Sequence, residues 1–388
     1  MKITKIKTCI AGPYKVENRF WDSKDFRITW GNILNYRPVL VKVETDEGIY
    51  GVGEACEFHV MEVGVMPEAA KMMIDKYLAP AIIGMDPWDI NKIRSKMDTT
   101  IYGNFTEKTA KAALEMAMYD IIGKATGKRV CELLGGPRRE KMYALLAIGM
   151  MSPEEMEEYA RKIRQDTGIK YIKTKSGGNR WGSDPKLDLA IAKAVRAGAG
   201  DDMVVTLDFN QGYLSYSSAI DMLRKCEPYS DYYEQPLQEY DYKGMGQLTK
   251  TLGTEIIADE SGHWPRGVMC ALDEGVRNFN VKPTRQGGIH EALKSIHAIE
   301  LFGGACSVGG VMESLVSLTA FSHLGSTVRE GSLICMEGGD QMFRFADGDT
   351  PIKSGGITLN LKEGVIELPK GPGLGIELKD EVMALFEE

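Results

Sequence analysis

Six charged residues in the middle of the chain have types and spacing that could do chemistry. They are Lys173 and Lys175 in YIKTKSGG, Asp208 in VVTLDFNQG, Glu234 in DYYEQPL, Asp259 in EIIADES and Lys282 in NVKPTRQGG. Each closes a short run rich in β-branched or aromatic residues, and successive runs end about 23 to 35 residues apart. Asp208, Glu234 and Asp259 bring three hard carboxylates with no Cys or His beside them, a donor set that suits Mg2+ better than zinc. The plainer alternative is that these carboxylates only pair with the lysines, but three like charges converging without a cation would repel strongly. A fixed cation next to a substrate carboxylate would stabilise the enediolate formed when the adjacent carbon loses its proton. Lys173 and Lys175 stand two apart on a strand and so point the same way. Their mutual repulsion, with a cation nearby, disfavours the ammonium form and leaves one amine able to act as a base. The competing reading is a solvated pair on an exposed strand. Two residues after Asp208, Asn210 shares its inward face and could orient a ligand, or cap the next helix.

The elements that must position these residues follow from the same rhythm. Segments with helical pattern, such as PKLDLAIAKAVRAG and YSSAIDMLRKC, separate the runs, which gives one βα unit per charge. That is the signature of a (β/α)8 barrel of the TIM type, whose active site lies at the C-terminal ends of the strands. YALLAIGM, 143–150, is predicted as the first barrel strand, and ACSVGGVM and LICMEGG, ending near Met312 and Gly338, as the seventh and eighth, so the barrel covers 136–350. Lys282 then falls four strands beyond the lysine pair, across the barrel. Glu313, after the seventh strand, is placed to reach a substrate or Lys282.

Residues 1–135 read differently. Residues 3–10 alternate apolar and polar, and VLVKVETDEGIYGVGEA folds back at Asp46-Glu47-Gly48 as a hairpin. Helical patterns follow near 66–78, 87–100 and 107–126, the last stopped by Gly127. This is an α+β domain, and the strand-like runs of 351–388 (GITLNL, VIELP, GPGLGIEL) are expected to return to it. Between the first strand and the hairpin, 13–38 forms a stretch with Phe20, Trp21 and Trp30 that is long enough to be a lid with an aromatic facing the substrate. The plainer reading is that Trp21 and Trp30 anchor the loop to the surface.

Composition narrows the function classes. A chain of 388 residues with 43% apolar and 26% charged residues is globular and long enough for two domains. A net charge of −8 without a basic stripe speaks against nucleic acid. Seven scattered cysteines without CxxC spacing suit reduced thiols in a cytoplasmic protein. The first residues lack the apolar core of a signal peptide, and no apolar run is long enough to span a membrane.

In this order and at this spacing, the segments resemble the enolase superfamily and, within it, the muconate lactonizing enzyme subgroup, over nearly the whole chain. VKVETDEGIYGVGEA and the Ala-rich helix ending MYDIIGKATGKRVCELLGG are similar to the capping domain of that family. Lys173-Thr174-Lys175 matches its K-x-K, the three carboxylates its metal ligands, and Lys282 its opposing lysine. The resemblance implies Mg2+ as cofactor, Lys175 as base with Lys173 tuning it, a small-molecule carboxylate substrate and a homo-oligomer. The seventh strand end, SVGGVM, lacks the His of the mandelate racemase base, and the D-x-D of dipeptide epimerases is missing, which argues against a dipeptide substrate. The implied activity is racemisation or epimerisation of an amino-acid derivative. Within the class the alternatives are a dehydratase or a muconate-type cycloisomerase; outside it, a non-catalytic enolase-like binding protein.

Overall fold

Apolar and polar residues alternate along Ile3–Ile10, which forms β1 and pairs antiparallel with β2, Val39–Thr45. A turn at Asp46–Gly48, with Gly48 at φ 77°, leads back into β3, Tyr50–Ala55, and completes a three-stranded sheet. The computed structural model describes all residues except 16–25, 29–30, 34, 57–65, 102–104, 178–183, 339–349 and 388. Among the helices that follow the sheet are α1 (Pro67–Met73), α2 (Ile90–Thr100) and α3 (Phe105–Thr126). The second begins three residues later than its pattern suggested, because Asp86–Asp89 forms a turn first. Glycine in β3 lets α3 pack against the sheet at backbone distance: a Cβ on Gly53 would meet the Ala113 carbonyl oxygen at 2.0 Å. A larger residue there would force the helix off the sheet.

The 13–38 stretch is partly strand-paired. Tyr14–Lys15 pairs with Asn35–Tyr36, and Phe26–Ile28 with Gly31–Ile33. Trp21 and Trp30 lie outside the described residues.

The barrel is built from eight parallel strands: β4 (Leu145–Ile148), β5 (Tyr171–Lys175), β6 (Val204–Asp208), β7 (Tyr232–Glu234), β8 (Glu255–Ala258), β9 (Asn278–Val281), β10 (Ala305–Val308) and β11 (Leu333–Met336). Each pairs with its successor, and a bridge from Ala144 to Met336 brings the first strand to the last. Helices α4 (Pro153–Asp166), α5 (Pro185–Ala199), α6 (Tyr216–Cys226), α7 (Tyr242–Thr251), α8 (Pro265–Glu274), α9 (Ile289–Leu301) and α10 (Leu315–Gly325) connect them. Covered on both faces, the strands are buried along most of their length, as parallel strands are. The seventh strand stops at Val308 rather than near Met312, since Gly309 and Gly310 carry the chain away from the ladder.

After the barrel, Thr358–Asn360 pairs with Val365–Glu367, which in turn pairs with Lys141–Tyr143, and Ile352–Gly355 pairs with Ile376–Leu378. The segment then crosses to α3. There Asp120 accepts hydrogen bonds from the Leu374 amide at 2.9 Å and the Val52 amide at 3.0 Å, joining positions 254 residues apart. Among the described residues no helix is long and apolar enough to cross a membrane.

Candidate active site

Strand register sets the charges in a row. Lys175 lies opposite Asp208, and Asp208 opposite Glu234. Glu234 in turn lies opposite Ile257, two residues before Asp259, so Asp259 shares the inward face one step higher. The row continues around the wall to Lys282, which directly follows β9. Lys282 and the β5 lysines stand on strands two and six of the eight, on facing walls.

The lysines are paired. Lys173 Nζ donates to Glu234 at 3.0 and 3.3 Å and also to Glu337, at the end of β11, so it spans the barrel interior. Lys175 Nζ reaches Asp208 Oδ2 at 2.5 Å and Asn210 Oδ1 at 3.0 Å. Lys282 Nζ reaches Asp259 Oδ2 at 2.5 Å, while Arg285 takes its other oxygen at 3.2 Å. Asn210 holds a left-handed backbone, φ 43°, in which its amide closes on Asp208 Oδ1 at 3.0 Å and its side chain links Lys175 to Glu260. The helix that follows, α6, is capped by Ser215. Gln235, also left-handed at φ 37°, accepts from the amides of Asp259 and Ser261 and fixes the turn that presents Asp259.

Electrostatics divide the group unevenly. Burial alone would lower Lys173, but Glu234, Glu337, Asp208 and Asp259 outweigh it and hold the ammonium well above the usual lysine range. The lysine repulsion expected from the sequence is therefore not what governs Lys173. Glu234 is pushed up to about 7 by burial, against the pull of Lys173 and with the other carboxylates adding to the rise. Both directions hold together, because one ammonium is shared by several acids while each acid is repelled by the rest. At Asp259, burial is overcome by Lys282, Arg285 and Lys173, which hold the carboxyl well below the carboxylate range. Lys282 is raised: burial opposes its charge, but Asp259 more than compensates.

Among the described residues no group of three or more His, Cys, Asp or Glu is gathered closely enough to hold an ion in this arrangement. Each of the three predicted ligands has turned to a lysine instead. The donors themselves fit a hard divalent cation: three carboxylates on adjacent strands, without a competing soft ligand. Beside Glu234, the buried Asn280 Oδ1 has no hydrogen-bond partner among the described residues.

Glu313 is buried on the Lys282 side. Its Oε1 accepts from Thr284 Oγ1 at 3.1 Å and the Val311 amide at 2.9 Å, and its Oε2 is without a partner among the described residues. Burial pushes it up to about 7. It does not hydrogen-bond Lys282. Sequence reasoning missed Glu337, Asn280 and Arg285 as members of the group. Two signals were available: Glu337 ends a strand run as Asp259 does, and Asn280 alternates with Lys282 on one face.

Two family models match the chain. The model described as mandelate racemase/muconate lactonizing enzyme, N-terminal domain, covers residues 14–135, and the one described as enolase C-terminal domain-like covers 155–382. The chain is 31% identical to N-succinyl-L-Arg/Lys racemase of Bacillus cereus over 363 residues, 92% of each protein. The crystal structure of that racemase aligns with a TM-score of 0.86 at 30% identity, over 100% of this chain and 98% of that one. A dipeptide epimerase from Enterococcus faecalis, complexed with Mg and the dipeptide L-Leu-L-Tyr, aligns with a TM-score of 0.85 at 28% identity, over 97% and 100% of the two chains. The chain is also 29% identical to a chloromuconate cycloisomerase of Cupriavidus necator over 383 residues, 97% of each.

Proposed function

The chain belongs to the mandelate racemase/muconate lactonizing enzyme family of the enolase superfamily, and from that premise we propose that it racemises or epimerises an N-substituted amino acid by moving the proton α to its carboxylate. The observation that carries this reading is the pair of lysines on facing walls, Lys175 at the end of β5 and Lys282 just after β9, with Asp208, Glu234 and Asp259 between them. Asp208, Glu234 and Asp259 would hold one Mg2+, which when bound supplies a fixed positive charge for a substrate carboxylate that turns more negative as the neighbouring carbon loses its proton.

This chain's own residues do the rest. An ammonium that loses its carboxylate partner gives up a proton more readily. Drawing Asp208 away from Lys175 and Asp259 away from Lys282 would free both amines, one for each face of the substrate carbon. Asn210, 3.0 Å from the Lys175 amine, keeps that amine aimed once Asp208 has turned away. Lys173 stays charged between Glu234 and Glu337 and offers its ammonium to the substrate carboxylate. Glu313, with Trp21 and Trp30 of the 13–38 stretch, would contact the distal part of the substrate. An N-succinyl amino acid is the first substrate to test, because the Bacillus cereus relative is named for that class.

The experiment is proton NMR in D2O on the L and D forms of N-succinylarginine, with Mg2+ and after treatment with EDTA. The expected result is loss of the α-proton signal from both forms, formation of the opposite isomer, and arrest by EDTA. Loss of water or ring closure without inversion would replace racemisation by a dehydratase or cycloisomerase reaction. No exchange with any carboxylic acid, even with Mg2+ bound, would leave a binding protein.

A further inference from the structure

Two buried glutamates of the capping domain, Glu54 and Glu115, reach across to the barrel. Glu54, on β3, is fully buried. Its Oε1 accepts from the Ser314 amide at 2.8 Å, and its Oε2 from Ser314 Oγ at 2.7 Å and the Ser317 amide at 3.0 Å. These are the first donors of α10, where unpaired amides and the helix dipole favour a carboxylate. Tyr36, at the foot of the 13–38 stretch, donates its hydroxyl to the same Glu54. Glu115, on α3, accepts from the His290 amide in the first turn of α9 at 2.7 Å. Arg94 on α2 pairs with Glu115 and also donates to the Gly287 carbonyl at 2.9 Å. Gly288 is the residue this approach requires, since a Cβ there would lie 2.7 Å from the Glu115 carboxylate.

Both grips fall on one wall. α9 follows a short helix, Pro283–Gln286, that starts on Lys282 and carries Thr284 and Arg285, and Ser314, directly after Glu313, is the N-cap of α10. Thr284 and Glu313 are hydrogen-bonded to each other, so the two gripped segments are tied together beside Lys282. Among the described residues, the bonds that fix the opposite wall lie within the barrel: Lys175 to Asp208 and Asn210, and the turn after β5 to Asp188 of α5 through the Gly177 amide at 3.1 Å.

We propose that Glu54 and Glu115 are positioning residues for the Lys282 wall, setting the place of Lys282 and Glu313 through the helix starts they hold. The half-reaction on the Lys282 face then depends on the docking of the capping domain, and the half-reaction on the Lys175 face does not. This inference rests on the two-base reading above, so its test needs one arm that does not involve turnover. A contiguous path of contacts is not in itself coupling, and the test must measure coupling directly.

The test uses the full-length protein and the variants Glu115→Gln and Glu54→Gln, with Arg94→Lys and Tyr36→Phe as milder versions should either buried glutamine prevent folding. In the first arm, amide hydrogen exchange is followed by mass spectrometry without substrate, over 282–291 and 311–318 and over 171–177 and 204–211. The loss of a charged acceptor should speed exchange of the first pair of segments by about tenfold or more while the second pair stays at the wild-type rate. In the second arm, α-deuterium incorporation is measured from each enantiomer of N-succinylarginine. The enantiomer whose exchange Lys282→Ala abolishes should slow by about tenfold relative to the other, an asymmetry that a merely less stable protein would not produce. Equal changes at both walls, or none at either, would overturn the proposal. If the wild type exchanges neither enantiomer, the two-base reading fails, and the first arm alone decides whether the capping domain holds this wall.

Discussion

The two walls of the barrel mouth present a lysine each, but they hold it by different means. At the β5 wall Lys175 finds Asp208 on the next strand, directly opposite in register, so the pair is fixed by sheet geometry. At the β9 wall Lys282 lies beyond the end of its strand, as the cap of the short helix Pro283–Gln286, and Asp259 sits likewise beyond the end of β8. Neither has a ladder partner at that point. Their position depends on Gln235, Arg285 and the helices that follow, and two of those helices start on carboxylates from another domain. The proposed inversion needs both amines at matched distances from one carbon; Lys175 is held by strand register, and Lys282, on the proposal above, through the contact with the capping domain.

The largest effect should come from removing what both walls share. Glu234→Gln should lower α-proton exchange of both enantiomers at least about a hundredfold, because Glu234 stands between the walls. Deuterium incorporation from the L and D forms measures it, and a one-sided loss would show that Glu234 serves a single wall. Next come the amines. Lys175→Ala and Lys282→Ala should each cost one enantiomer roughly 10²- to 10⁴-fold and leave part of the exchange of the other, in mirror fashion. Loss of both enantiomers in either variant would show that only one lysine moves the proton.

A third prediction probes the β9 wall without turnover. Burial raises Glu313 from 4.5 to about 7. Below the lower value it is protonated whether the chain is folded or not; above the upper value the folded chain carries a buried charge that the unfolded chain exposes to water. The metal-free wild type should therefore lose stability relative to Glu313→Gln as pH rises from about 4.5 through about 7, by up to ~3 kcal/mol. Urea unfolding at about pH 5 and about pH 8 checks the sign; a pH-independent difference would mean the carboxyl is charged throughout. The smallest effect belongs to the β5 wall: Asp188→Asn, which weakens the support of Gly177 and Tyr213, should cost about 1 kcal/mol and slow only the Lys175 enantiomer. Equal slowing of both would mean that the walls are coupled.

The same contrast governs what could be read from the sequence. Strand runs ending in charge gave the barrel, its strand order and six residues of the group, because period-two alternation and βα spacing are local properties of the chain. The turn at Asp46–Gly48 and the end of α3 at Gly127 were legible for the same reason. Arg285 and the carboxylates of Glu54 and Glu115 were not, since each acts on a partner from a distant segment and no local pattern records that partner. The end of β10 was placed four residues late because Val311 and Met312 continue the apolar run past two glycines that leave the sheet. That Lys173 is held charged also by Glu337, an acid 164 residues away, is likewise a matter of distant contacts.

The bond from Leu374 to Asp120 has a consequence for the order in which the protein can be made. The Asp120 carboxylate on α3 is fully buried, and one of its acceptor sites is filled only by an amide 254 residues later. A chain leaving the ribosome exposes α3 long before that amide exists, although domains generally fold as they emerge, the N-terminal one first. This one must wait for the whole barrel to be synthesised before its last contact closes. The capping domain, translated before the barrel, is thus finished after it, and nascent chains stalled before Gly373 should carry a capping domain that proteases still cut.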